Sequence, residues 1–312
     1  MNQSKTPYVV VGIGEALFDC FADKCVLGGA PVNFAAHIQQ LIAPHGGRTI
    51  VVSRCGVDKL GDQLIDEISQ RGVETDFIQR DSRMPTGRVD VAVDMNGEPS
   101  YSIANDAAWD YLRYDAEIER LARQASAVCY GTLAQRSQTG RQSIYDFLSA
   151  TENAVRVFDV NLRQSFYNID IIEMSLEFAT VLKANEHELQ LIASLIGCQR
   201  SSTVDIAFEI CDRYELDLLA LTRGHRGTTL FADSQQIETS DVPASHSPDA
   251  DSVGAGDACC AGVVFGLLRD WPLEQTLQLA NRMGSFVASC RGATPYHSEE
   301  LHSFAQRGTS PE

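Results

Sequence analysis

The sequence is short of the features that place a protein in a membrane or on nucleic acid. Its 312 residues contain no apolar run that approaches the roughly 18 residues of a membrane span. The polar start, residues 1–8, has no basic segment followed by an apolar one, so no secretory signal is predicted. Basic residues are scarce, because 25 Lys and Arg face 42 Asp and Glu and leave a formal net charge of −17. We therefore expect a cytoplasmic protein without a nucleic-acid or membrane partner.

Paired metal or redox motifs are also missing. The nine cysteines are scattered, no C-x-x-C pair occurs, and the seven histidines form no H-E-x-x-H segment. Several cysteines lie inside apolar runs, which is typical of small buried residues in a reducing compartment. We expect free thiols in the core, and neither a disulfide framework nor a metal or redox centre.

Two glycine-rich nucleotide motifs are absent as well. Gly12 and Gly14 follow a predicted strand, but the dinucleotide fingerprint needs a third glycine at position 17, where Leu17 stands. No G-x-x-x-x-G-K-[ST] segment occurs. These absences exclude NAD binding at this turn and a P-loop.

What is present is a regular alternation of β-branched runs and amphipathic stretches. Strands are predicted at residues 8–13, 48–53, 73–78, 127–130, 155–159, 180–184 and 216–222. Helices are predicted at residues 32–42, 58–71, 137–149, 185–196, 204–214, 254–269 and 273–289. Such alternation indicates βαβ units, and hence an α/β fold with a mostly parallel sheet between helices.

Two segments, residues 16–27 and 86–104, interrupt this alternation. In the second, Val89, Val91 and Val93 alternate with other residues up to Asn96 and Gly97, a strong hairpin signal. A hairpin outside the βα units predicts a small separate sheet that acts as a lid; the alternative is an edge of the main sheet. We expect a main domain of residues 1–15, 28–85 and 105–312, with the lid inserted in two pieces.

Residues 251–257 (DSVGAGD) precede a small, apolar helical stretch. Small residues at a helix start let backbone N–H groups approach a ligand at the positive end of the helix dipole, which suits an anion such as a phosphoryl group. Asp257 beside such a site is placed to act as a general base, although an acidic residue in a first helical turn is also simply a favourable helix charge.

Residues 28–33 (GGAPVN) form the second informative segment. Gly28 and Gly29 allow a tight turn, and Pro31 suits a first helical turn. Asn33 would lie in that turn with its amide free to bind a polyol; the alternative is a capping side chain at a loop–helix junction.

Six segments together resemble the signatures of the ribokinase/PfkB carbohydrate-kinase family. They are residues 14–19 (GEALFD), 28–33, 185–188 (NEHE), 222–227 (TRGHRG), 251–257 and 291–295 (RGATP). They occur in the family's order and span nearly the whole chain. The resemblance implies a ribokinase-like three-layer α/β fold with a β-strand lid, and an ATP-dependent carbohydrate kinase.

The resemblance assigns the chemistry to the helix start at residue 254. Asp257 would be the catalytic base on the sugar hydroxyl, while the backbone N–H groups of Gly254, Ala255 and Gly256 would bind the phosphoryl group in transit.

The resemblance also implies the nucleotide and metal residues. These are Asn185, Glu188, Thr222, Gly224, Gly227 and Asn281 for ATP, with Asn185 and Glu188 orienting Mg²⁺ through waters. Asp251 and backbone carbonyl groups near Val253 and residues 290–292 would form the K⁺ site found in many members. Without the resemblance, Glu188 would be taken for a solvated carboxylate of a first helical turn.

For the sugar, the resemblance implies Asp19, Gly28, Gly29, Asn33 and Arg163. Residues 159–163 (DVNLR) resemble the D-x-N-x-R segment of fructokinase-like and 2-keto-3-deoxygluconate-kinase-like members; the alternative for Arg163 is a surface salt bridge. The expected reaction is fructokinase-like transfer of the γ-phosphoryl group of ATP to a sugar hydroxyl.

Other acceptors of the same family, namely ribose, 2-keto-3-deoxygluconate and a nucleoside, stay open. A sugar phosphate is disfavoured, because only Lys24, Arg88 and Arg163 lie towards the sugar end. A catalytically silent sugar or nucleotide sensor would tolerate loss of the base, and Asp257 is present. A homodimer through the lid strands is common among relatives and is a further expectation.

Overall fold

The computed structural model describes residues 7–93, 99–239 and 250–307. The strands are β1 Val9–Ile13, β2 Leu17–Cys20, β3 Cys25–Gly28, β4 Arg48–Gly56, β5 Ile78–Asp81, β6 Gly87–Val93, β7 Pro99–Ile103, β8 Ala127–Tyr130, β9 Val155–Asp159, β10 Val181–Asn185, β11 Leu218–Thr222, β12 Thr228–Ala232 and β13 Gln235–Ile237. The helices are α1 Ala30–Ile42, α2 Lys59–Gln70, α3 Ala116–Gln124, α4 Gln138–Ala150, α5 Ile169–Phe178, α6 Glu186–Leu195, α7 Thr203–Arg213, α8 Ala255–Leu268, α9 Leu273–Ala288 and α10 Glu299–Arg307. Within the described ranges, every helix is too short or too polar to cross a bilayer.

A large sheet forms the centre of the molecule, in the order β13-β12-β11-β10-β9-β8-β1-β4-β5. Its strands run parallel from β5 to β11, and β12 and β13 are added antiparallel at one edge. Successive residues of a strand point to opposite faces. Accordingly, Val10 packs in a cluster with Phe34 of α1 and Val264 of α8, while Val11 packs with Phe147 of α4. Helices therefore cover both faces, and the predicted three-layer α/β fold is confirmed.

Four strands form a second sheet, in the order β3-β2-β6-β7. β2 pairs antiparallel with β3 and parallel with β6, and β6 pairs antiparallel with β7. The predicted hairpin is thus present, although its turn at Asn96 and Gly97 lies outside the described residues. The sheet is built from the two segments that interrupt the βα alternation. Its use as a lid, and the division of the chain into domains, stay predictions.

Two helix starts bring their first residues against other parts of the chain, and both require glycine. Gly29 before α1 has φ 105° and Gly254 before α8 has φ 80°, a region that side chains disfavour. A Cβ atom would lie 2.5 Å from the carbonyl oxygen of Glu15 at Gly29 and 2.3 Å from that of Ala293 at Gly254. Since α1 packs against α8, the two starts lie side by side.

One predicted strand is misplaced. Residues 73–78 do not form a strand: Glu74 makes a single bridge to Ile50, and the strand begins only at Ile78. Gly72 ends α2 with φ 74°, and the Ile78 N–H donates to the Thr75 carbonyl, so the chain turns again before it joins the sheet. The buried side chains of Val73 and Ile78 produced the apolar signal.

The cysteine prediction is wrong at one place. Cys20 and Cys25 face each other across β2 and β3 and are joined by a disulfide. Their positions are adjacent only because the hairpin folds back, and the five-residue separation carries no C-x-x-C signal. Five other cysteines are free and buried, as predicted, namely Cys55, Cys129, Cys211, Cys259 and Cys260.

Candidate active site

A cavity of about 800 Å³ lies where the carboxyl ends of the parallel strands meet the small sheet. Such an edge is where open α/β sheets usually bind ligands. Of the predicted site residues, the cavity is lined by Asp19, Gly29, Asn33, Arg163, Asn185, Thr222, Gly254, Gly256 and Asp257. Its lining does not include Gly28, Glu188, Gly224, Gly227, Asp251, Ala255 or Asn281. Strands β2, β6 and β7 of the small sheet supply Leu17, Val89, Tyr101 and Ile103.

Asp257 lies in the first turn of α8 and is buried. The Asn33 side chain donates from Nδ2 to Asp257 Oδ2 at 2.8 Å, across 224 positions of sequence. One N–H of the Asn33 amide is therefore engaged rather than free, because α1 packs against α8 and the acceptor is within reach, while its Oδ1 has no partner among the described residues. This contact orients the carboxylate at the helix start.

The electrostatic setting of Asp257 favours a base that works near neutral pH. Burial, and next the charge of Asp159, raise the pKa of Asp257 to about 6, against the opposing effects of Lys183, Asn33 and Arg163. A carboxylate with this pKa is ionised at pH 7 and is still a stronger proton acceptor than an ordinary aspartate.

At the start of α8, Gly254 and Gly256 line the cavity, and neither has a Cβ atom to cover the backbone. The N–H of Ala255 donates to the Ser252 carbonyl at 3.3 Å and lies outside the lining. A Cβ atom on Gly256 would lie 2.9 Å from Lys183 Nζ, so a buried ammonium group lies directly beside this helix start. Helix dipole and ammonium charge therefore act at the same point.

Lys183 is a site residue that the sequence interpretation missed. Its Nζ contacts Asp159 Oδ1 at 2.8 Å, and both side chains are nearly fully buried. Although burial alone would lower it, the charges of Asp159 and Asp257 raise the pKa of Lys183. A signal existed, since a lysine within the apolar run at residues 180–184 is rarely buried without a partner.

Asn185 and Glu188 form a capping box at the start of α6. Asn185 Oδ1 accepts from the Glu188 N–H, and Glu188 Oε2 accepts from the Asn185 N–H, both at 2.9 Å. Glu188 Oε1 accepts from the Leu162 N–H at 3.1 Å, so the carboxylate is buried and is not a solvated one. Each oxygen keeps a second lone pair, and these hard oxygen donors fit a hydrated Mg²⁺.

Near the small sheet, two acidic side chains and one arginine line the cavity. Asp19 from β2, Glu15 from the turn after β1 and Arg163 all line the cavity. Burial raises the pKa of Asp19, and the Arg163 charge opposes this. Arg163 is exposed and makes no salt bridge among the described residues; its Nη1 donates only to the Leu162 carbonyl at 3.3 Å. Gly28 lies beside Asp19, because a Cβ atom there would be 2.8 Å from Asp19 Oδ2.

Four of the predicted nucleotide residues lie in or near a turn after β11. Gly224 and Gly227, with φ 59° and 76°, bracket a short helical turn. The Arg223 N–H donates to the Gly227 carbonyl at 2.8 Å and closes it. Behind it, Asn281 Oδ1 accepts from the Thr228 N–H at 2.9 Å and joins α9 to β12. Thr222, at the end of β11, reaches the cavity.

Asp251 connects the two loops predicted to hold K⁺. Its carboxylate accepts from the N–H groups of Val253 at 3.2 Å and Gly292 at 3.1 Å, and its own N–H donates to the Cys290 carbonyl. These loops meet directly behind the start of α8.

A comparison with models of known protein families identifies the family of the chain. Residues 11–300 match the model of the pfkB family of carbohydrate kinases. The chain belongs to this family. The predictions of the family and of a carbohydrate kinase are thereby confirmed.

Fructokinases are among the most similar relatives of this pfkB-family kinase. It is 28% identical to the fructokinase of Salmonella typhimurium over 304 residues, covering 90% of this chain and 93% of the relative. It is 25% identical to the fructokinase of Escherichia coli over 299 residues, with 90% and 93% covered.

Solved structures confirm the fold of this family member. Fructokinase with bound ATP from Xylella fastidiosa superposes with a TM-score of 0.80 at 23% identity, covering 96% of this chain and 98% of the other. Aminoimidazole riboside kinase from Salmonella enterica superposes with a TM-score of 0.75 at 21% identity, covering 95% and 99%. At these identities the likeness concerns the fold alone.

Proposed function

We propose that this pfkB-family kinase transfers the γ-phosphoryl group of ATP to a hydroxyl group of a sugar, in the manner of a fructokinase. The observation that carries the proposal is the buried Asp257 at the start of α8, held by Asn33 and facing the cavity. A carboxylate and a phosphoryl-binding helix start at one point are what an attacking hydroxyl needs.

In this reaction the sugar oxygen attacks the γ-phosphorus, its bond to phosphorus forms, and the bond from phosphorus to the β,γ-bridging oxygen breaks to leave ADP. Asp257 takes the proton of the hydroxyl. The N–H groups of Gly254 and Gly256 bind the phosphoryl oxygens, and the charge of Lys183 stabilises the developing negative charge. The prediction of Ala255 as a third donor stays part of the proposal.

We propose that ATP is bound by six residues, namely Asn185, Glu188, Thr222, Gly224, Gly227 and Asn281. Support comes from the fructokinase of Xylella fastidiosa, which shares the fold and was solved with ATP. Asn185 and Glu188 would hold Mg²⁺ through waters, and Mg²⁺ bound there supplies charge neutralisation of the phosphates. Asp251 and the carbonyl groups of its two loops are proposed for K⁺.

The proposed acceptor is an uncharged sugar, with fructose first because fructokinases are close relatives. The sugar is proposed to contact five residues, namely Asp19, Gly28, Gly29, Asn33 and Arg163. The small sheet would close over the sugar as a lid and exclude water. The proposal also places the enzyme in the cytoplasm. It further includes a homodimer that forms through the small sheet.

The test is release of ADP from Mg·ATP with a panel of ketoses, aldoses, sugar acids and nucleosides. We expect turnover with d-fructose or a related ketose, and turnover reduced by orders of magnitude for Asp257→Asn with the same acceptor. Turnover only with ribose, a sugar acid or a nucleoside would correct the acceptor. No turnover with any acceptor, while ATP and a sugar still bind, would favour a sensor.

A further inference from the structure

Glu15 is a buried residue whose carboxyl group has no role in the proposed reaction, although the residue lines the cavity. It follows β1, is only 4% exposed, and lines the cavity with Asp19 and Asp257. Its segment, residues 14–19, carries part of the family resemblance, yet that resemblance gave a role only to Asp19.

The backbone around Glu15 fixes where its side chain begins. The Gly14 N–H donates to the Val52 carbonyl at 3.1 Å, and Ser53 Oγ donates to the Gly14 carbonyl at 2.6 Å. On the other side, the Glu15 carbonyl abuts Gly29, where a Cβ atom would be 2.5 Å away. The turn is therefore clamped between β4 and the start of α1, and the carboxyl group is held at the cavity wall.

The carboxyl group itself is incompletely bonded. Oε2 of Glu15 is buried and has no hydrogen-bond partner among the described residues, and the same holds for Oδ1 of Asn33 on the neighbouring wall. With Glu15 ionised, both atoms are acceptors. A buried acceptor without a partner destabilises a protein, and a donor supplied by water or by a ligand removes that cost.

A comparison with Glu188 shows that this is not an ordinary structural glutamate. Both are buried, but each oxygen of Glu188 accepts a backbone N–H, whereas Oε2 of Glu15 accepts from no group among the described residues. At Glu15, one oxygen remains for something that enters the cavity. Backbone N–H groups of Glu15 and Ala30 bond the carboxyl group, and the residue lines the cavity.

The ligand that satisfies these atoms must bring hydrogen-bond donors. Glu15 Oε2, Asn33 Oδ1 and the carboxylate of Asp19 are all acceptors at the sugar end, so the ligand needs several hydroxyl groups. We infer that Glu15 is a specificity-determining residue that accepts a hydrogen bond from a second hydroxyl of the sugar, distinct from the one that Asp257 deprotonates. This inference rests on the proposed sugar-kinase function and narrows its acceptor to a polyol with a donor at this position.

The charges around Glu15 make the contact depend on pH. Burial raises the pKa of Glu15 to about 7; Asp257 on α8 adds to this, whereas Arg163, after β9, and the two backbone N–H groups oppose it. Asn33 on α1 and Asp19 on β2 line the same wall. Because the ionised carboxylate is the better acceptor, the KM for the sugar should fall as pH rises from about 6 to about 8.

The experiment compares Glu15→Ala and Glu15→Gln with the wild type, using d-fructose, its monodeoxy analogues and Mg·ATP. Glu117→Gln, an exposed glutamate of α3, is the matched control. We expect Glu15→Ala to raise the KM for fructose by roughly 10- to 100-fold, the usual loss for a hydrogen bond to a charged group, with the KM for ATP unchanged. Glu15→Gln should keep the fold and remove the pH dependence of the fructose KM between pH 6 and 8.

The deoxy analogues locate the contact. One analogue should lose affinity in the wild type but lose no more in Glu15→Ala, because the hydroxyl and its partner are then both absent. Equal losses for every analogue in both proteins, or an unchanged fructose KM in both variants, would overturn the inference and leave the kinase intact. If the wild type turns over none of the panel, the proposed function fails and this inference falls with it.

Discussion

The two sheets of the molecule divide the site between them. The large sheet is covered on both faces; its strand β10 carries Lys183, and the start of α8 packed on it carries Asp257, Gly254 and Gly256. The small sheet carries Asp19 and Tyr101 into the same cavity and leaves Val26 and Tyr101 largely exposed to solvent. The buried sheet thus holds the groups that need fixed geometry. The small sheet has fewer buried contacts, and such regions open more easily than a two-sided core.

The largest effect should come from the base on the large sheet. Asp257→Asn keeps the shape and an acceptor for Asn33 but cannot take a proton, so kcat should fall by roughly 10²- to 10⁴-fold while ATP still binds. Steady-state kinetics and ATP titration measure both.

The wild-type pH profile supplies the control for this prediction. The pKa of Asp257 is raised to about 6, and only its ionised form accepts a proton. The value of kcat should therefore rise as pH increases through about 6 and then level off. A flat profile in the wild type, or near-normal turnover in Asp257→Asn, would contradict the assignment of the base.

The next effect concerns the buried pair beneath the site. Lys183→Met leaves the carboxylate of Asp159 buried without its partner, so the free energy of unfolding should drop by about 3–5 kcal/mol, measured with urea. The double variant Lys183→Met, Asp159→Leu should regain much of this stability without regaining turnover. If the double variant is as active as the wild type, the pair has only a structural role.

A smaller and more selective effect is expected from the small sheet. Asp19→Ala should raise the KM for the sugar by roughly tenfold or more while the KM for ATP and the stability change little. Asp23→Ala, at the exposed tip of the same hairpin, is the matched control and should behave as the wild type. Equal changes in both KM values would argue against a sugar contact at Asp19.

The smallest effect should follow reduction of the Cys20–Cys25 bond. The bond closes a loop of only five residues, so the chain-entropy model gives about 2 kcal/mol, confined to β2 and β3. With dithiothreitol, or in Cys20→Ser with Cys25→Ser, amide exchange should quicken in these strands and stay unchanged in β1 and β4. Faster exchange throughout the large sheet would show that the two sheets unfold together.

Much of the architecture could be predicted because its signals are local. Strand β9, for instance, lies where its apolar run predicts it, and Asp58 and Ser137 cap α2 and α4 as their side chains suggest. Helix α3 was missed although Asp115 caps it, because its exposed face is strongly polar and its apolar stripe is narrow. Hairpin β12–β13 was missed because its turn uses Asp233 and Ser234 in left-handed conformations rather than Asn-Gly.

The site was less predictable, because its contacts join distant positions. No local pattern shows that Asn33 reaches Asp257, nor that Lys183 lies beside Gly256, since both depend on how helices pack on the finished sheet. The motifs indicated which residue types matter. Their partners became visible only in three dimensions.

The contact between Asn33 and Asp257 has a consequence for synthesis of the chain. The two residues are 224 positions apart, so a ribosome makes Asn33 long before it makes Asp257. An incomplete chain that ends before α8 has Asp19 and Asn33 but neither the proposed base nor the helix start that is proposed to bind the phosphoryl group. The activity therefore arises only when almost the entire polypeptide has been translated.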